Sequence, residues 1–268
     1  MRHMGVASSL GIVPDVTCVI GSGGKTTLIA RLARELCSGR HAGGVGGDVA
    51  GGGVVVCTTT HIQPLDGMLA CEGRSVGEVR DALASAAGRV PVQVASSAST
   101  GNTRLRDGVV RLGPAQVGVG ALAEVAGHVL VEADGSRMLP LKAHTACEPV
   151  LPDPCELHGV VLRVVLVAGM RGVGQRVRDA VHRPELFCAL VGIAPDDVVL
   201  PRHVAREIAA ELACGRTRAD AIVLNQADDA GGMAAARDVA RELAVLLGSE
   251  CPRVLAGGVR EGSLLQVG

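Results

Sequence analysis

Several residue types are almost missing from this 268-residue chain. It has no Trp or Tyr, a single Phe at 187, two Lys and two Asn. No apolar run approaches the length of a membrane span, which argues against a membrane protein. The N-terminal apolar stretch is cut short at Pro14 and Asp15, which argues against a signal peptide. The net charge of −1 carries no basic excess of the kind that nucleic acid or an anionic membrane would attract. Nine cysteines are scattered with no CxxC pair, a pattern of buried free thiols in a reducing cytosol, and neither a disulfide framework nor a zinc site. A hydrophobic content of 48% supports a large core and one α/β domain over 1–268, and the expected location is the cytoplasm.

The scarcities also point. Twenty-four arginines carry nearly all the positive charge, so a retained lysine marks a place where a compact ammonium is needed and a planar fork will not serve. The two lysines are Lys25 and Lys142, and the two asparagines are Asn102 and Asn225.

Lys25 lies in the stretch that organises the chain, Val16 to Ala33, VTCVIGSGGKTTLIARLA. A β-branched run ends in the glycine turn Gly21-Ser22-Gly23-Gly24, and Lys25, Thr26 and Thr27 open an amphipathic helix. That is the strand–loop–helix context of a P-loop, in shortened form because Val19 stands where the first glycine is expected. Glycines let backbone N–H groups curl round a phosphate, and the helix N-terminus adds partial positive charge. Residues Gly21 to Thr27 are therefore assigned to nucleotide phosphates. Lys25 would reach the β- and γ-phosphates and Thr26 would place its hydroxyl on Mg²⁺.

The remaining chain alternates strands and helices. Strands are expected at Val16–Ile20, Val54–Cys57, Val90–Val94, Val109–Leu112, His128–Glu132, Val160–Ala168, Ala221–Leu224 and Val254–Leu255. Helices are expected at Thr26–Cys37, Val76–Ala87, Ala115–Ala126, Pro184–Val191, Arg202–Cys214 and Met233–Leu247. Residues 1–14 read as a short arm, Gly39–Gly53 as a glycine-rich turn and Ser96–Asp107 as the link of a hairpin. The pattern predicts a mostly parallel sheet flanked by helices, a P-loop NTPase-like three-layer sandwich.

Ligands of open parallel sheets sit at the carboxyl ends of strands, and polar clusters occur at such ends here. Thr58, Thr59, Thr60 and His61 follow the second strand; Thr59 is a candidate Mg²⁺ ligand and His61 a base or orienter, with a capping Thr run as the alternative. The strand His128–Glu132 runs into Ala133-Asp134-Gly135-Ser136-Arg137, where Glu132 is a candidate metal and catalytic carboxylate and Asp134 its competitor. Arg137 and Lys142 would bind phosphate or an anionic substrate, Lys142 as a further catalytic candidate. Asn225-Gln226-Ala227-Asp228 ends another strand: Asn225 would brace the loop and Asp228 would accept from a guanine base, although Gln226 stands where a lysine normally stacks. The alternative there is an Asn cap before the next helix. His182 and Arg183 precede Pro184 at a helix start, facing an anion or simply capping.

Taken in order, GSGGKTT, CTTTHI, VEADGSRMLPLKA, EPVLP at Glu148–Pro152, VHRPELF and NQAD resemble the YqeC family over Val16 to Asp228. The resemblance implies a P-loop nucleotide-binding protein that serves as an accessory factor for selenium-dependent molybdenum hydroxylases. It implies Mg²⁺ with ATP or GTP, and a molybdenum hydroxylase or selenium donor protein as partner. On these motifs Lys25 and Thr26 are the phosphate and Mg²⁺ residues, and Glu132, Asp134, Arg137 and Lys142 form a second site. Cys147 departs from the family pattern, which has His before the Glu-Pro. The layout is more distantly similar to metal-chaperone GTPases of hydrogenase and urease maturation. GSGGKTT also resembles the P-loop of the Mur ligases, which activate carboxylates as acyl phosphates, and a non-catalytic nucleotide switch is a third reading.

Overall fold

The computed structural model describes residues 5–39, 53–97, 111–215 and 217–268. Their contacts divide into two compact units: Met1–Val19, Thr26–Asp134 and Val150–Arg163 in the first, Ile20–Lys25, Gly135–Pro149 and Val164–Gly268 in the second.

The first unit carries β1 (Asp15–Gly21, to Val19), β2 (Val54–Thr58), β3 (Leu69–Cys71), β4 (Val92–Val94) and β5 (His128–Glu132). They pair in parallel in the order β1-β5-β2-β4-β3. β2 and β5 are buried runs of Val and Leu, as strands covered on both faces require. The register aligns Val19, Glu132 and Thr58, so their carboxyl ends finish level. Helices α1 (Val6–Ser9), α2 (Lys25–Cys37), α3 (Val76–Ala86) and α4 (Val119–Ala123) accompany these strands. Ser75 starts α3 by accepting from Glu78 N at 3.2 Å, and Ala87 ends it in the left-handed region. The expected N-terminal arm is instead a packed element: Val6, Ala7, Leu10 and Ile12 are buried, and Ala7 N donates to Glu35 Oε2 at 2.9 Å. Its apolar residues find cover in the unit's core, so it is no free arm.

The second unit carries β7 (Leu162–Gly169), β9 (Ala221–Asn225), β10 (Arg253–Gly258) and β11 (Ser263–Gln266), paired in that order, with only β10–β11 antiparallel. Two short strands, β6 (Leu141–Lys142) and β8 (Val181–His182), form a separate parallel ribbon. Helices α5 (Val177–Ala180), α6 (Pro184–Val191), α7 (Pro201–Ala213) and α8 (Ala230–Leu247) pack here, α7 against α6 and α8, and α8 against β10. Pro184 and Pro201 open α6 and α7 at the first helical position, where the missing N–H costs nothing.

The α/β class with mostly parallel strands and flanking helices is as the sequence predicts. Strands β3, β6, β8 and β11 are additions, and the expected helix over Ala115–Ala126 contracts to Val119–Ala123. The glycine-rich turn and the Ser96–Asp107 link lie largely outside the described residues, as does the first half of the Val109–Leu112 strand. Leu112 and Gly113 make isolated antiparallel bridges to Ile62 and Ser96. All nine cysteines are free thiols, three of them buried, and burial pushes Cys57 up to about 12. Among the described residues no helix is long and apolar enough to cross a membrane.

Candidate functional site

The glycine turn in the second unit is built so that side chains are excluded. Gly21, Gly23 and Gly24 all have positive φ, at 92°, 78° and 127°. A Cβ on them would stand 2.2 Å from Val167 O, 2.4 Å from Gly169 Cα and 2.2 Å from Asn225 Nδ2. Only glycine satisfies both conditions. Ser22 N donates to Val167 O at 2.8 Å, and Ser22 Oγ bonds Leu139 O. Lys25 is 3% exposed, and its Nζ donates to Gly21 O at 2.8 Å and Ser136 Oγ at 3.1 Å, which curls the ammonium back over the turn. Asn225, at the end of β9, donates from Nδ2 to Gly23 O at 2.8 Å and accepts at Oδ1 from Val259 N at 3.0 Å. Its amide braces the turn from behind. Asp228 accepts from Arg171 Nη2 at 2.9 Å, and Gln226, which follows Asn225 in sequence, has a φ of 59°.

In the first unit Thr26 Oγ1 donates to Glu132 Oε2 at 2.9 Å, across 106 residues of sequence. The Glu132 carbonyl accepts from Thr58 Oγ1 at 2.8 Å and Thr59 N at 3.2 Å. Thr58 Oγ1 accepts from Thr60 N at 3.0 Å, so this hydroxyl is a structural fastener. Thr59 Oγ1 donates to Val150 O at 2.6 Å, leaving its lone pairs as acceptors. Asp134 is fully buried and His61 is exposed, Thr27 half-buried. A hydroxyl beside a carboxylate is an all-oxygen donor pair, the set a hard cation such as Mg²⁺ takes. Thr26 and Glu132 thus fit the expected cation.

Two further charged groups lie in the second unit. Lys142 side-chain atoms are 1% exposed; Nζ donates to Gly135 O at 2.6 Å and pairs with Glu148 Oε2 at 3.0 Å. Arg183 Nη1 reaches the same Oε2 at 2.5 Å and Ala143 O at 3.3 Å. Burial alone would raise Glu148, but the Arg183 hydrogen bond and the Lys142 charge outweigh it and hold the carboxyl below its usual range. His182, opposite Lys142 in the β6–β8 ribbon, is lowered to about 4 by burial and by the charges of Arg183, Lys142 and Arg137. Arg137 stands on an exposed turn at φ of 49°.

The other group is His144, Glu207 and Glu211, all buried, with ligand-capable atoms within 4.8 Å of one another. Glu211 accepts from His144 N at 2.6 Å, and its Oε2 meets His144 Nδ1 at 2.5 Å. Burial would raise Glu211, yet the His144 hydrogen bond and charge hold it low.

Sequence reasoning named Lys25, Thr26, Glu132, Lys142 and Asn225, and each makes a specific buried or half-buried bond. It missed Ser136 as the Lys25 partner, Glu148 as the carboxylate under Lys142, and the His144–Glu211 pair. Two signals bore on Glu148, the EPVLP motif that it opens and the scarcity of lysine, since a buried ammonium requires a counterion nearby.

Residues 17–185 match the family model described as YqeC protein, which is more than half of the chain, so the chain belongs to the YqeC protein family. It is also similar to the uncharacterized protein YqeC of Escherichia coli (strain K12), at 29% identity over 187 residues. That match covers 68% of this chain and 63% of the relative, so the chain spans less than two thirds of the relative's length.

Proposed function

We propose that this member of the YqeC family binds a nucleoside triphosphate on the Gly21–Lys25 turn and hydrolyses it with Mg²⁺, in the cytoplasm. The observation that carries the reading is the Lys25 ammonium, buried over three glycines whose φ angles and close contacts admit no side chain. A lysine in a plain βα turn has no reason to give up its hydration. Here it is held where phosphate oxygens would replace Ser136 Oγ and Gly21 O as its partners.

Catalysis would be positioning plus electrostatics. Backbone N–H groups of the turn and Lys25 take the phosphate charge. Thr26 and Glu132 would hold Mg²⁺, which when bound neutralises charge on the phosphate oxygens. Asp134, fully buried one residue beyond Ala133, is the carboxylate for orienting a water, with Glu132 as its rival. The family resemblance supplies the wider context, an accessory role in selenium-dependent molybdenum hydroxylase maturation, with a hydroxylase or selenium donor as client.

The base is ATP's or GTP's. Asn225 already spends both ends of its amide on Gly23 and Val259, as a bracing asparagine does, and Asp228 is free for guanine only after leaving Arg171. Isothermal titration with Mg·ATP and Mg·GTP, beside Lys25→Ala, tests the proposal. Binding that the variant loses supports it, and GTP preference assigns Asp228 to the base. Absence of binding by either nucleotide overturns it. Hydrolysis that strictly requires an added acceptor would favour the Mur-like ligase reading, and tight binding without turnover the switch.

A further inference from the structure

Helix α7 buries Val204, Ala205, Ile208 and Ala209, yet its buried residues also include two acids, Glu207 and Glu211, one turn apart. Glutamate is rarely buried so completely unless it is paired, and these two are 5% and 1% exposed. His144, 2% exposed, meets them from the segment that follows β6, within the same unit. A ring nitrogen of His144 and one carboxylate oxygen of each glutamate lie within 4.8 Å of one another. We propose that these three side chains bind one divalent transition-metal ion, Zn²⁺ by preference, which fastens the chain after β6 to α7. The proposal goes beyond the nucleotide reading and does not rest on it.

Protons hold the group together, and a cation can replace them. Glu207 hydrogen-bonds Glu211 through its side chain. Carboxylates only accept, so that bond needs a proton on one of the two acids. Glu211 Oε2 also meets His144 Nδ1 at 2.5 Å, a second proton-bridged contact between metal-ligating groups. An ion among the three takes the place of these protons, which leave to solvent, and turns the contacts into bonds to one centre.

The geometry suits such an ion. Bonds of about 2.0–2.2 Å from Zn²⁺ to nitrogen and oxygen set tetrahedral neighbours about 3.4 Å apart. Donor atoms within 4.8 Å of one another bracket that separation, and the 2.5 Å contact of His144 with Glu211 has to open by roughly 1 Å, a small adjustment of side-chain torsions. The frame that carries the donors is fixed. Glu207 and Glu211 stand at i and i+4 of a 13-residue helix, and Glu211 Oε1 accepts from His144 N at 2.6 Å. Ala143 N donates to His182 O at 3.1 Å, which holds the residue before the histidine in the β6–β8 ribbon. Ligands on regular elements keep their geometry better than ligands on loops.

Donor type selects the metal. An imidazole nitrogen with two carboxylates favours Zn²⁺ over Mg²⁺ and Ca²⁺, which take oxygen alone. The set differs in kind from the all-oxygen pair of Thr26 and Glu132 in the first unit.

The test titrates the full chain with Co²⁺ as a coloured substitute for Zn²⁺. One equivalent should bind, with visible d–d bands and no sulfur-to-cobalt charge transfer, and Zn²⁺ should displace it where Mg²⁺ does not. A charge-transfer band would place the ion on some of the nine free thiols and overturn the site. Glu207→Gln should weaken Co²⁺ at least about a hundredfold, since loss of a mere outer-shell partner already costs 10- to 100-fold. Glu132→Gln should leave the affinity unchanged, and equal loss in that variant would overturn the assignment. Zn²⁺ should raise the Tm of the parent chain and not of Glu207→Gln. Imidazole NMR of the eight histidines covers the case in which Glu207→Gln does not fold: Co²⁺ should shift His144 in the unaltered chain. An unshifted His144, or no binding of Co²⁺ or Zn²⁺, overturns the proposal.

Discussion

Lys142 and His144 lie two residues apart yet anchor two buried ionic groups of opposite composition. Around Lys142 one carboxylate, Glu148, is shared between two cations, Lys142 and Arg183. Around His144 the acids outnumber the base, with Glu211 gripping both the backbone and the ring of His144 and Glu207 beside it. The first group opens to solvent through Arg183, whereas all three members of the second are buried. A closed group has to satisfy itself, and this one does so by hydrogen bonding within the cluster. The difference separates a closed, internally bonded group from one whose Arg183 side chain is partly exposed to solvent.

Glu148→Ala tests the comparison hardest. It removes the Glu148 carboxylate from the buried Lys142 ammonium, and removal of one partner of a buried pair costs about 3–5 kcal/mol. Chemical denaturation should show that loss. Adding Lys142→Met should recover part of it, because the stranded charge and not the missing contact dominates.

Glu211→Gln should cost less, about 1–3 kcal/mol, the penalty of weakening hydrogen bonds to a buried backbone N–H and ring. A cost equal to that of Glu148→Ala would erase the contrast between the two groups.

Acid sharpens the contrast further. Glu148 and Glu211 are both held below the usual carboxylate range, so the stability they supply is present above that range and is lost as pH falls through their folded values. His182 acts earlier. Its folded value of about 4 lies below the 6.5 of a free histidine, so the unfolded chain binds its proton first. Stability therefore declines as pH drops from 6.5 toward 4, modestly because His182 is partly exposed and screened. His182→Gln should flatten that part of the profile and leave the lower, carboxylate part in place.

How much of this was legible depended on how local each feature is. β1, the turn and the start of α2 announce themselves in consecutive residues, and β5 is an apolar run with an acid at its end. β6 and β8 are two residues each, too short for any periodicity to show. β11 lies on the sheet edge with Leu265 exposed, and lacks a buried apolar run. The partnerships of Thr26 with Glu132 and His144 with Glu211 span 106 and 67 residues. Strand-end position was enough to nominate Glu132, but a helix-borne glutamate such as Glu211 looks like any surface acid until the helix is placed.

The smallest effect on stability should come from Asp228, and for that reason it is the most informative about the ligand. Its ion pair with Arg171 joins side chains that are 31% and 69% exposed, so solvent screens it and Asp228→Ala should alter stability by less than about 0.5 kcal/mol. Arg171 then competes only weakly with a base for the carboxylate. If Asp228 reads guanine, the variant should lose GTP affinity while ATP affinity holds, and the ratio measured by titration should fall about tenfold for the lost bidentate contact. If the two affinities move together, Asn225 braces the phosphate turn in a protein that does not read its base through this segment, and Asp228 belongs with the solvated charges of the surface.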